Sequence, residues 1–101
     1  MALDIHRLDT GEHLLSLDDA QLALLADVLA RYTQRTGLRI DPYADSVLSC
    51  AQLHTLLAVM DQWAAQADLN RQRPQAVAVL GLRGVLALWA AAGHDVRLVG
   101  D

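Results

Sequence analysis

Residues 74–93, PQAVAVLGLRGVLALWAAAG, constrain everything else this chain can fold into. Between Ala76 and Ala92 the sole charge is Arg83, and apolar residues fall on nearly every side of a helix formed there. A helix apolar all round is either a membrane span or the buried centre of a small domain. A span needs roughly 20 consecutive apolar residues, and a central charge costs at least ~2.5 kcal/mol on insertion. Arg83 therefore decides for a buried helix and against a membrane partner. Pro74 suits the first turn, where its missing N–H is no loss, and Gly93 suits the left-handed position after the last. Leu80, Leu82, Val85 and Leu88 are all expected to be nearly inaccessible in the native assembly. Gly81 and Gly84 weaken a helix interior by up to ~1 kcal/mol each relative to Ala. They mark close approach of another backbone, within the fold or across a homodimer. The girth of the apolar surface favours the homodimer.

A chain of 101 residues, 53% hydrophobic and 20% charged, is one domain (1–101) around one core. A formal charge of −4 argues against nucleic acid, whose phosphates call for basic patches. Every cation is Arg, so lysine Schiff-base chemistry is excluded. The single cysteine allows no internal disulfide and agrees with a reducing compartment. The N-terminus, MALDIHRLD, carries acids where a signal peptide needs a basic region and an apolar run, so a cytoplasmic location is expected. The Asp-rich, Lys-free composition suits a high-GC bacterial genome.

Taken in order, LDIHRL and EHLLSL flank Asp9-Thr10-Gly11 and predict a hairpin over Leu3–Leu17. A type I turn with Gly11 in the bulge position pairs Ile5 with Leu15 and gathers Leu3, Ile5, Leu15 and Leu17 on one face. That register also puts His6 opposite Leu14 and His13 opposite Arg7, placing the two histidines on opposite faces. Helix one starts on a capping box, Asp18 with Gln21, and ends at Gly37, with Leu38 set to close a Schellman motif. LRID at Leu38–Asp41 reads as a strand, paired through Pro42–Asp45 with a strand at Ser46–Ser49. Helix two repeats the start device with Ser49 and Gln52, and its stripe runs from Leu53 to Ala67. The closing DVRLVGD alternates as a strand and should lie inside the sheet. The expected fold is α+β, a two-layer sandwich of order ββαββααβ, with a mixed, mostly antiparallel sheet and three helices on one face.

Candidate chemistry is sparse. Cys50 and His54 lie one turn apart at a helix start, where the dipole favours thiolate and histidine could act as base. Cys50 also falls on the apolar stripe with Leu53 and Leu57, and no third orienting group is visible, so no enzyme is expected. The histidines and Cys50 show no HExxH, no CxxC and no His–His pair at i,i+4, so no metal or other cofactor is expected. GLRG lies inside a helix and cannot cradle a phosphate. Arg83 reads as a snorkelling or carboxylate-paired side chain. The most suggestive surface feature is the turn Asp41, Pro42, Tyr43, Ala44, Asp45, with two carboxylates and one tyrosine. Tyrosine supplies contact area, and acids complement a basic protein partner. These features fit a small acidic cytoplasmic bacterial protein that binds another protein, most concretely an immunity or inhibitor type. The alternative is a dimeric sensor or small-ligand-binding domain with its pocket between sheet and helices.

Overall fold

Paired side chains begin two of the three helices in this fold, which a computed structural model describes for residues 2–100. Helix α1 spans Asp19–Thr36. Asp18 accepts the Gln21 N–H at 2.8 Å, and the Gln21 side chain accepts the Asp18 N–H at 2.9 Å. Helix α2, Cys50–Gln66, repeats this box with Ser49 and Gln52 at 3.2 and 2.8 Å. Each box satisfies two of the N–H groups a helix start leaves unpaired. Helix α3 covers Arg73–Ala91 with Pro74 in its first turn and no side-chain cap. At the end of α1, Gly37 takes φ 74° and donates its N–H to the Thr33 carbonyl. The Leu38 N–H goes to the Thr36 hydroxyl and Leu38 stays 44% exposed, so the closure is the simpler left-handed cap, not a Schellman motif.

The strands are β1 (Ala2–Arg7), β2 (His13–Asp18), β3 (Ser46–Leu48) and β4 (Val96–Gly100). They form one antiparallel sheet of order β2-β1-β4-β3. The C-terminal strand therefore lies inside the sheet as expected, while the expected parallel component does not form. The chain order is ββαβααβ, because Leu38–Asp41 is not a strand and makes no second hairpin. The Ser46–Leu48 strand pairs with β4 instead, Ser46 opposite Leu98 and Leu48 opposite Val96. Ile40 still reaches the core, carried there by a segment outside any strand ladder.

The first hairpin keeps the expected register only along its inner half, with Leu3 opposite Leu17 and Ile5 opposite Leu15. Between Ile5 and His6 the register slips by one residue, so His6 faces His13. A bulge of this kind sets two residues against one and turns the ladder beyond it. Arg7 then exchanges bonds with the Gly11 N–H and the Glu12 carbonyl, and the Leu8 N–H bonds to Asp95. The loop is consequently one residue longer than the sequence pattern implies. The expectation that His6 and His13 occupy opposite faces is overturned: their rings meet edge to face at 5.1 Å.

Leu3, Ile5, Leu17, Leu48, Val96 and Leu98 point from the sheet into a single core with Tyr32, Leu53, Met60, Trp63, Val79 and Leu86 of the helices. Helix α3 packs against both α1 and α2 and buries Ala76, Val79, Leu82, Leu86 and Ala90. Of the four residues expected to be inaccessible, only Leu82 is buried within the chain. Val85 is half-buried, Leu80 is 46% exposed and Leu88 is 71% exposed. The neighbours of α3 bury one stripe of helical period, and its far side is left exposed. A Cβ placed on Gly81 or Gly84 would have no atom within 4 Å, so neither glycine serves packing inside the chain.

Candidate functional site

The Asp41–Asp45 turn is held at several points. The Asp41 carboxylate accepts the Tyr43 N–H at 2.9 Å, and the Asp41 carbonyl accepts the Ala44 N–H at 3.2 Å. An aspartate that bonds two residues on closes the turn by itself. Asp45 pairs with Arg97 on the exposed side of β4 at 3.2 Å. From beneath, Gly100 of β4 meets the turn backbone. A Cβ at that position would lie 2.6 Å from the Pro42 carbonyl oxygen and 2.8 Å from the Tyr43 carbonyl carbon. Only glycine lets the two backbones come this close. Tyr43 projects from this fixed base, 63% exposed. The three candidate residues thus share one site, with divided roles. Asp41 is spent on the turn, Asp45 is paired with Arg97, and Tyr43 presents its side chain outward.

Cys50 and His54 do not form a dyad. The Cys50 thiol donates to the Ala90 carbonyl at 3.3 Å, which ties α2 to the end of α3, while His54 faces solvent. The Cys50 N–H donates to the Asp95 carboxylate at 2.7 Å. Asp95 thus places a carboxylate at the start of α2 beside the Ser49 cap, where the helix dipole favours negative charge.

The outer face of the sheet gathers residues that sequence spacing had separated. Ser16 donates to the Asp4 carboxylate at 2.5 Å, and His13 Nε2 lies 2.8 Å from the Ser16 oxygen and 3.5 Å from Asp4. The Ser16 hydroxyl is the main cause holding the Asp4 carboxyl below its ordinary range, partly offset by desolvation. This order is unlike a hydrolytic triad, in which histidine stands between acid and hydroxyl and takes the hydroxyl proton. Here the hydroxyl stands in the middle and donates its hydrogen bond to the acid, not to the histidine. Among the described residues, no three His, Cys, Asp or Glu side chains converge to hold a metal ion. Period-two alternation alone would have grouped Asp4 with Ser16. It could not have brought in His13, which arrives through the bulge.

Arg83 is half-buried and fully paired. Its Nε and terminal nitrogen both donate to Asp61 of α2, at 2.5 and 3.1 Å. The guanidinium is the first cause lowering the Asp61 carboxyl, and Asp61 in turn raises Arg83. The space enclosed by the core residues Leu3, Ile5, Leu56, Leu86 and their neighbours, between sheet and helices, measures about 30 Å³. That is close to the share of liquid volume that one water takes.

The fold and surface define a small α+β domain with a four-stranded antiparallel sheet and three helices. Comparison with protein-family models, curated proteins and solved structures finds no significant match to the chain.

Proposed function

We propose that this chain acts by binding another protein, most concretely as an inhibitor or immunity-type protein, and that it meets its partner through the Asp41–Asp45 turn. The observation that carries the reading is Tyr43, 63% exposed on a turn pinned by Asp41, Asp45 and Gly100. A large side chain on a rigid support loses little freedom on docking, which is what distinguishes an interface anchor from an ordinary exposed residue. The net charge of −4 selects a basic partner through its long-range field. The two aspartates contribute to that field, but Asp41 is bonded within the turn and Asp45 to Arg97 of β4.

The alternative, a sensor with its ligand between sheet and helices, has little room in an interior space of about 30 Å³. Small-molecule pockets usually measure about 300–1,000 Å³. The test is retention of protein from a native lysate on immobilised chain, wild type against Tyr43→Ala, at low and high salt. Loss of a specific basic protein with Tyr43→Ala supports the reading. Equal retention by both chains contradicts it.

A further inference from the structure

We infer that α3 pairs antiparallel with α3 of a second copy, about a twofold axis passing beside Gly84. The outward positions of this helix are Val77, Leu80, Gly84, Leu88 and Ala91, all exposed. Val77 and Leu80 precede Gly84 by seven and four residues, and Leu88 and Ala91 follow it by four and seven. At 3.6 residues per turn these five fall on one stripe. The stripe is the same read from either end, which is what an isologous interface requires of its patch.

An antiparallel pair centred on Gly84 brings Leu80 level with Leu88 of the second copy, and Val77 level with its Ala91. Gly84 meets Gly84 at the axis, where the absence of a side chain lets the backbones close. This accounts for Gly84, a helical glycine that packs nothing inside the chain. The charges agree as well. Arg73 opens α3, and Asp95 lies just beyond its other end, bonded to the Cys50 N–H, so antiparallel pairing brings each copy's exposed Arg73 to the end of the other's α3 that Asp95 follows. Arg73 has no carboxylate partner among the described residues. The helix dipoles run opposite ways, which also favours this arrangement. The single charge within the run, Arg83, is drawn aside to Asp61 and leaves the stripe neutral. A depression of about 250 Å³, lined by Leu15, Gln21, Val77, Gly81 and Val85, extends the apolar patch toward β2 and α1. Exposed apolar faces of this kind mark association surfaces.

The test combines mass with cross-linking on a Cys50→Ala background. Sedimentation of the wild type at micromolar concentration should give twice 11.0 kDa. Leu88→Asp should raise the dissociation constant at least about tenfold, with an unchanged circular dichroism spectrum. Under mild oxidation Gly84→Cys should form a covalent dimer with itself, whereas Val77→Cys alone should not. Mixed Leu80→Cys and Leu88→Cys chains should cross-link to each other and not to themselves. The proposal is overturned by a single-chain mass at every accessible concentration. It is equally overturned if Val77→Cys self-couples as readily as Gly84→Cys, which would mean parallel pairing. A monomeric chain that floats with phosphatidylcholine vesicles would show that a bilayer covers the stripe.

Discussion

Arg83 of α3 grips Asp61 of α2 through two nitrogens, and this one contact removes the only charge from the apolar run of α3. The guanidinium holds the Asp61 carboxyl below its ordinary range, as the Ser16 hydroxyl does for Asp4 and Arg7 for Asp9. A carboxyl whose folded pKa lies below its unfolded value contributes stability above the unfolded value. That contribution is lost as pH falls through the folded pKa. The unfolding midpoint should therefore hold from neutral pH down to about 4 and drop below it. In Asp61→Asn the acid limb should be shallower. Identical limbs would show that the pair has no weight in folding.

Gly100 should be the least replaceable glycine. Gly100→Ala puts a methyl group onto the backbone of Pro42 and Tyr43, and overpacking of this kind costs about 1–3 kcal/mol. The contrasting change is Gly81→Ala, where open space surrounds the new methyl. There the gain in helix propensity should stabilise the chain by up to ~1 kcal/mol. Urea midpoints of the two variants, moving in opposite directions, would check both claims.

The two faces of α3 should answer differently to truncation. Leu82→Ala removes a buried side chain and should cost about 2–5 kcal/mol. Leu88→Ala, at a position 71% exposed, should stay within about 0.5 kcal/mol when measured at concentrations too low for association. Equal losses for both would place Leu88 in the core of the single chain.

Each capping box should be separable. Asp18→Ala and Ser49→Ala each remove the acceptor for an N–H in the first turn, at about 0.5–2 kcal/mol. The loss at Ser49 should be the smaller, because Asp95 still accepts the Cys50 N–H. Denaturant titrations of the two single variants and of Ser49→Ala with Asp95→Asn would show whether the Asp95 carboxylate compensates.

How much of this was legible in the sequence follows the range of the interactions. The capping boxes were, since Asp18 with Gln21 and Ser49 with Gln52 act within one turn. So was the inner register of the hairpin, because burying Ile5 with Leu15 leaves no alternative. The slip at His6 was not. It depends on Leu8 bonding to Asp95, a residue nearly ninety positions away, and nothing local announces it. Leu38–Asp41 has the composition of a strand, yet Ser46–Leu48 takes the available edge of β4 and Ile40 is buried without pairing. Composition marked α3 as apolar all round but could not say how much of that surface one chain would cover. In the Asp41–Asp45 turn, the exposure of Tyr43 was readable from turn chemistry. The backbone contact with Gly100 was not, because it joins segments brought together only by the sheet.

The most direct measurement of the proposed function is the dissociation rate of a captured partner from wild-type chain and from Tyr43→Ala, each with its unfolding midpoint. Loss of an anchor worth ~2 kcal/mol weakens binding about thirtyfold, and most of the change should appear as faster dissociation. The midpoint should shift by no more than ~0.5 kcal/mol, as for an exposed turn residue. A partner that leaves both chains at the same rate, or a Tyr43→Ala chain that fails to fold, would contradict the account.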